Sequence, residues 1–245
     1  MTSAHEHIPS LDLSFEELRW LAGAFGAARL PLTIPSAQTE SLLEAQNLLQ
    51  QRGIIKRGAL AGWEVEPFAA LVVQWLVSGL RFWLFERFGR DGQRIEIALF
   101  LQDGPAMLVL PVQDGKRFIV CRDVDAAILE WQLALSLTDA TKAVKQPEWD
   151  IPQPVTVIRT GWKNPTMAQT MADANFLAWA ARLDWAAEWA LVTGENRFVR
   201  LALASRDHSL WVGRYTPGRP GEFSLKPSNK KNLAQALRQV LKEVK

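Results

Sequence analysis

"IALFLQDGPAMLVLP", Ile97 to Pro111, and "LALASRDHSLWVGRY", Leu201 to Tyr215, are one phrase written twice. Each begins apolar-Ala-Leu, reaches an aspartate after three more residues, turns, and leaves in a second alternating apolar run. Alternation marks a half-buried strand, and a turn residue between two such runs marks a hairpin. The chain therefore carries a duplicated hairpin, and its surroundings should be duplicated too.

Around the first copy, strands are expected at Leu80–Phe88, Arg94–Leu101, Ala106–Val112 and Arg117–Cys121. Gly-Arg-Asp-Gly, Asp-Gly-Pro and Asp-Gly connect them. Gly and Asp tolerate positive φ, and links this short make neighbouring strands antiparallel, so the four form a meander. A helix opened by Pro67, "FAALVVQWLVS", precedes them and stops at Gly79. A helix capped by Asp123 follows, with Val124, Ala127, Ile128, Trp131 and Leu135 along one side.

Around the second copy the order recurs. Pro165 opens a helix containing Met167, Met171, Phe176 and Trp179. Strands are expected at Trp185–Val192, Phe198–Ala204, Leu210–Tyr215 and Phe223–Lys226, and Ser228 or Asn229 caps a last helix, Leu233–Val244. The expected fold is α+β: an internally duplicated helix–four-strand meander–helix unit, forming one continuous or two related, mainly antiparallel sheets with helices against one face.

Ahead of the first meander lies something different. Ser14 and Glu17 have capping-box spacing, with Leu18, Leu21, Ala22 and Phe25 following at helical intervals until Gly26. Ser36 and Thr39 open a second helix with Leu42, Leu43, Ala45, Leu48 and Leu49 on one broad stripe, ending at Gly53. "GIIKRGALAGWEVEP" then gives a small hairpin. Helix, loop, helix, hairpin is the outline of a winged helix, placed over residues 11–66. The organisation expected is an N-terminal half over 1–137, a polar bridge over 138–164 and a C-terminal repeat half over 165–245. The bridge holds Pro147, Pro152 and Pro154, and a short strand is expected at Val155–Ile158.

Composition narrows the function classes. The chain has 245 residues, 48% of them hydrophobic and 22% charged, which is the range of a folded globular protein. A net charge of +2 is too small to argue for nucleic acid. The N-terminal MTSAHEHIPS lacks the basic and apolar regions of a secretory signal. The longest apolar stretch, Phe68–Leu84, is interrupted by Gln74, Ser78 and Arg81, so no membrane span is expected. Eleven tryptophans are read as core packing, with the alternative that some mark a peptide-binding surface.

Chemistry-bearing motifs are sparse. His5 and His7 flank Glu6 in a terminal segment without preorganised neighbours, so no metal site is expected. His208 is a turn residue beside Asp207, and Cys121 is a small buried hydrophobe. No nucleophile elbow, zincin motif, phosphate loop or dinucleotide fingerprint is present. No enzyme activity and no cofactor are therefore expected. Arg52, Lys56 and Arg57 lie near the wing-like hairpin, but Thr39–Leu49 carries Glu40 and Glu44 and no cation, which argues against DNA. A winged-helix regulatory or DNA-binding protein is nevertheless the alternative reading. Lys226, Lys230, Lys231, Arg238, Lys242 and Lys245 make the last helix basic, read as a solvated face complementing the helix dipole.

Four stretches in this order resemble the EspG proteins, cytosolic chaperones of the type VII (ESX) secretion system. They are "LSFEELRWLAGAFG" (Leu13–Gly26), "LLEAQNLLQQRGII" (Leu42–Ile55), "VEPFAALVVQWLVSG" (Val65–Gly79), and the closing "SLWVGRYTPGRPGEFSLKPSNKKNLAQALRQVL" (Ser209–Leu241). The resemblance implies a cytoplasmic, non-enzymatic chaperone or adaptor. Such a protein holds a helical secreted partner of the PE–PPE or WXG type, covering its aggregation-prone apolar tip. In that family the partner meets a sheet loop of the first half together with the C-terminal helical part. Carried over, this points to Gln102, Asp103, Gly104 and Pro105, and to the neighbourhoods of Trp179 and Leu233.

Overall fold

A computed structural model of the chain describes residues 9–27, 30–32, 39–58, 62–78, 81–137, 147–215 and 222–242. In chain order the first elements are β1 (Ser10–Ser14), α1 (Phe15–Ala24), α2 (Thr39–Gln51), β2 (Ile55–Arg57), β3 (Trp63–Val65) and α3 (Pro67–Ser78). The first meander follows as β4 (Arg81–Gly89), β5 (Arg94–Leu101), β6 (Ala106–Val112) and β7 (Gly115–Cys121), with α4 (Val124–Ala134) behind it. The remainder is β8 (Trp149–Pro152), α5 (Pro154–Lys163), α6 (Pro165–Ala168), α7 (Ala174–Ala180), β9 (Trp185–Thr193), β10 (Asn196–Arg206), β11 (Ser209–Tyr215), β12 (Glu222–Ser228) and α8 (Lys230–Lys242).

The fold is mixed α+β around a large antiparallel sheet. Its hydrogen-bonded strand order is β1-β7-β6-β5-β4-β9-β10-β11-β12-β8, with β2-β3 as a separate hairpin. Read inward from either end, the order names the same steps: an edge strand, then the fourth, third, second and first strands of a meander. The strands containing Ile97 and Leu201, β5 and β10, are each second in their meander. The duplicated phrase thus occupies equivalent topological positions.

The chain divides into two compact units, one of 1–82 and 98–127, the other of 83–97 and 128–245. In the first, α1 starts as its spacing predicts. Glu17 N–H donates to Ser14 Oγ at 3.1 Å, and Ser14 N–H donates to Glu17 Oε2 at 2.8 Å. Glu17 is buried, and its carboxylate also receives Arg52 Nη1 at 2.7 and 2.8 Å, joining the start of α1 to the end of α2. The α1–α2–hairpin order of the winged-helix outline is present, with Ile55↔Val65 and Arg57↔Trp63 paired across β2 and β3. The broad leucine stripe expected on α2 is narrower. Ala45 and Leu49, one turn apart, are buried, while Leu43 and Leu48 lie off that line and are exposed.

In the second unit, helices cover both sheet faces rather than the one expected. Successive strand residues point to opposite faces, so Ala186 and Glu188 of β9 share one face and Trp189 takes the other. Trp131 of α4 meets Trp189 and Phe85 edge-on on that second face, where Phe85 and Trp189 also pack tilted against each other. On the opposite face α5 and α7 send Val155, Ile158, Phe176 and Trp179 into a cluster with Ala186, Ala202, Trp211 and Phe223. Sheets this apolar on both sides need two covers.

Three local expectations are corrected. Val155–Ile158 is not a strand but the first turn of α5. Its β-branched residues favour strands, but Pro154 at the first helical position and burial of Val155, Val157 and Ile158 outweigh that preference. The helix expected from Pro165 through Trp179 is two, α6 and α7, because Asp173 accepts the Phe176 N–H at 2.9 Å and caps a fresh start. Finally, β1 and β8 add to the meanders as edge strands that the pattern of apolar residues did not announce.

Candidate functional site

The turn of Gln102–Pro105 joins β5 to β6 in the first unit. Gln102 N–H donates to Pro105 O at 3.2 Å, and Gly104 sits at φ 111, a region open to glycine and strained for other residues. Gln102, Asp103 and Gly104 are exposed and Pro105 is half-buried. This is a small, solvent-facing tip flanked by buried Phe100 and Ala106.

Trp179 and Leu233 belong to the second unit and are both buried, Trp179 at 9% exposure and Leu233 at 0%. Trp179 packs edge-on against Trp211 at 5.1 Å, with Phe176 at 5.3 Å and Trp149 at 5.8 Å. Leu233 lies on the inner face of α8 with Leu237, Val240 and Leu241. These side chains place their helices and are not themselves presented. All eleven tryptophans are buried or half-buried, which favours core packing over an exposed tryptophan patch. The outer face of α8 is polar and basic, with Lys231, Gln235, Arg238 and Lys242 exposed. Exposed apolar area in this unit lies elsewhere, at Leu129 (56%) and Leu133 (61%), one turn apart on α4, at Met167 of α6 and at Phe198 of β10.

A cluster of charges that the sequence reading missed lies on the α5-covered face of the second unit. Glu86 of β4 is buried and paired with both Arg94 and Arg197. Arg197 also holds Glu188, and Arg94 also holds Glu96. Burial pushes the Glu188 carboxyl above the usual carboxylate range; Arg197 draws it back and Glu86 pushes it further. Arg159 of α5 lies 3.6 Å over the Phe88 ring, and its charge also favours ionised Glu188.

The backbone cause of this cluster is a β-bulge. Val199 pairs with Ala190 and Leu201 with Trp189, leaving Arg200 as an extra residue in β10. Without it, strict alternation back from Ala202 would send Arg197 to the other face, away from Glu188. With it, Arg197, Val199 and Ala202 share a face. The only trace in the sequence is the broken alternation of "RFVRLA", Arg197–Ala202, where two apolar residues stand side by side. Beside the bulge opens a cavity of about 610 Å³, whose lining includes Thr156, Glu188, Arg197, Arg200, Tyr215 and Phe223.

Neither Cys121 nor His208 lines this cavity. Cys121 is buried at the end of β7, and His208 occupies a two-residue turn with Asp207, at φ 64 and 47. His5, Glu6 and His7 lie outside the described residues, as does the side chain of Glu40. No helix among the described residues is long and apolar enough to cross a membrane.

No protein-family model matches the chain. No curated protein sequence matches it. Among solved structures, the chain is similar in fold to the Mycobacterium tuberculosis type VII secretion system chaperone EspG5, determined in complex with the PE25–PPE41 dimer. The TM-score is 0.61 and the identity 10%, over 95% of this chain and 96% of that one. The chain therefore has an EspG-like fold.

Proposed function

We propose that the chain is a non-enzymatic, cytoplasmic chaperone or adaptor that binds a helical secretion substrate of the type VII (ESX) system, of the PE–PPE or WXG type. The observation that carries this reading is the shared fold over nearly the full length of a chaperone captured on a PE–PPE dimer. The partner-binding elements we assign are the Gln102–Pro105 tip and the helices anchored by Trp179 and Leu233. The tip offers a polar contact with Asp103 at its head. Leu129 and Leu133 of α4 add apolar area of the kind a partner helix covers at i, i+4 spacing. Covering such area on a client suppresses its self-association without any bond being made or broken.

The test is co-expression with helical secretion proteins from the same genome, followed by size-exclusion chromatography with light scattering. A complex of defined stoichiometry is expected, weakened at least about tenfold by combining Asp103→Lys with Leu133→Glu. If the chain elutes alone and those proteins are equally soluble without it, the reading fails. Salt-dependent binding to duplex DNA, abolished by Lys56→Glu with Arg57→Glu, would establish the winged-helix alternative instead.

A further inference from the structure

We infer that the cavity between β10, β12 and the start of α5 is a binding site for a ligand that carries a carboxylate on an apolar or aromatic body. This goes beyond the chaperone reading and does not rest on it.

The first support is the distribution of charge. Glu86, Glu96 and Glu188 are matched by Arg94, Arg197 and Arg159 through the ion pairs and the Arg159 field described above. Arg200 is then surplus. It lines the cavity, no carboxylate among the described residues pairs with it, and its Nε–H is buried without a hydrogen-bond partner. Withdrawing part of a guanidinium from water with no counter-charge beside it is costly, and an anion held in the cavity against Arg200 offsets that cost. The bulge that puts Arg200 in this position also breaks the ladder locally, a device common beside functional sites.

The second support is the opposite wall. Gln153 is the N-cap of the ten-residue helix α5, sits at φ 45, and makes no side-chain cap bond. Pro154 at the first helical position has no N–H, so Val155 and Thr156 carry the first N–H groups of α5; both residues line the cavity, where the helix start adds partial positive charge and Thr156 a hydroxyl.

The rest of the lining selects the ligand. Tyr215 and Phe223 meet edge-on at 6.4 Å, and Val155 and Val199 extend the apolar surface. A volume of about 610 Å³ suits a small organic acid or the last residues of a peptide. Glu188 also lines the cavity, so a second negative charge on the ligand meets repulsion. A monoanion fits the single surplus guanidinium, and the planar N–H fork matches a carboxylate.

The experiment is calorimetric titration of the full chain with phenylacetate and with a pentapeptide ending in phenylalanine, each beside its neutral amide. The acids are expected to bind at least about tenfold more tightly than the amides. Arg200→Gln is expected to remove that preference and Arg200→Lys to keep part of it. A tighter peptide identifies a chain terminus as the source of the carboxylate, and tighter phenylacetate identifies a small free acid; both uphold the inference. Equal affinity for acid and amide in the unaltered protein overturns it, a comparison that needs no variant. So does an Arg200→Gln protein that prefers the acids as strongly as the parent.

Discussion

The two outermost strands occupy the same step of a duplicated design, yet each is held by different physics. β1 lies against β7 with five paired residues, Ser10↔Ile119 to Ser14↔Gly115. Besides its buried Leu13, polar groups fasten it. Arg117 donates to both Asp12 carboxylate oxygens at 2.7 Å, and Arg52 Nη2 donates to the Asp12 carbonyl at 2.6 Å. β8 lies against β12 with four paired residues, and its fastening is aromatic. Ile151 is buried, Trp149 meets Phe176 edge-on at 5.5 Å, and Trp211 Nε1–H donates to Pro147 O at 3.1 Å, just ahead of β8. The two halves share the position of an edge strand while its means of attachment differs. An edge strand needs only to be covered or fastened, and either route meets that need.

The comparison makes its largest demand at Trp211. Trp211→Ala removes a buried indole, leaves a cavity beside Trp179, and strips the Pro147 carbonyl of its donor. A loss of about 3–5 kcal/mol in urea unfolding is expected. Hydrogen exchange should show the β8 amides deprotected while those of β1 keep their rates. A loss under about 1 kcal/mol would mean that the aromatic group does not hold this edge.

The reciprocal break is at Gly115. A Cβ built there lies 2.2 Å from the Leu13 carbonyl oxygen and 3.0 Å from Ser14 Cα, so the backbone of β1 must move. Gly115→Ala should cost about 1–3 kcal/mol, with exchange protection lost in β1 and kept in β8. Unchanged β1 protection would show that the close approach is not what seats this strand.

Legibility in the sequence follows the same contrast. The eight meander strands were readable because they are apolar runs, most of them bounded by Gly or Asp turns. The correspondence of the two meanders was readable because the hairpin phrase repeats. The edges were not. Leu11 and Leu13 are too few to establish a period, and "WDIP" between Pro147 and Pro154 looks like connecting chain until β12 is there to pair with it. α5 was hidden because Val155, Thr156, Val157 and Ile158 have strand propensity, and only burial of one face makes them helical. The charge cluster was hidden by the bulge, since one extra residue reverses which face Arg197 reaches. Of the residues assigned to partner binding, the Gln102–Pro105 tip is exposed. Trp179 and Leu233 are buried, because apolar helix residues read alike whether they face a core or a partner.

The smallest effect concerns charge at the edges. The hydrogen bonds from Arg117 hold the Asp12 carboxyl below its usual value of 3.8; slight burial opposes this, and the charges of Arg117 and Arg52 assist it. The folded value is the lower one, so the pair's contribution is present above that usual value and is lost as pH falls through the folded one. Both side chains are about half exposed, so screening limits the contribution to below about 1 kcal/mol. Asp12→Asn should therefore cost a few tenths of a kcal/mol near about pH 7. The curves of variant and parent should converge as acid protonates Asp12, and should also draw together in about 1 M salt, where the screening length is about 3 Å. At the other edge Lys226 and Glu148 form a single contact of 3.4 Å and are more exposed still. Glu148→Gln should leave stability unchanged at low and high salt, because that edge rests on its aromatic side chains. A Glu148→Gln loss as large as that of Asp12→Asn would erase the distinction between a polar edge and an aromatic one.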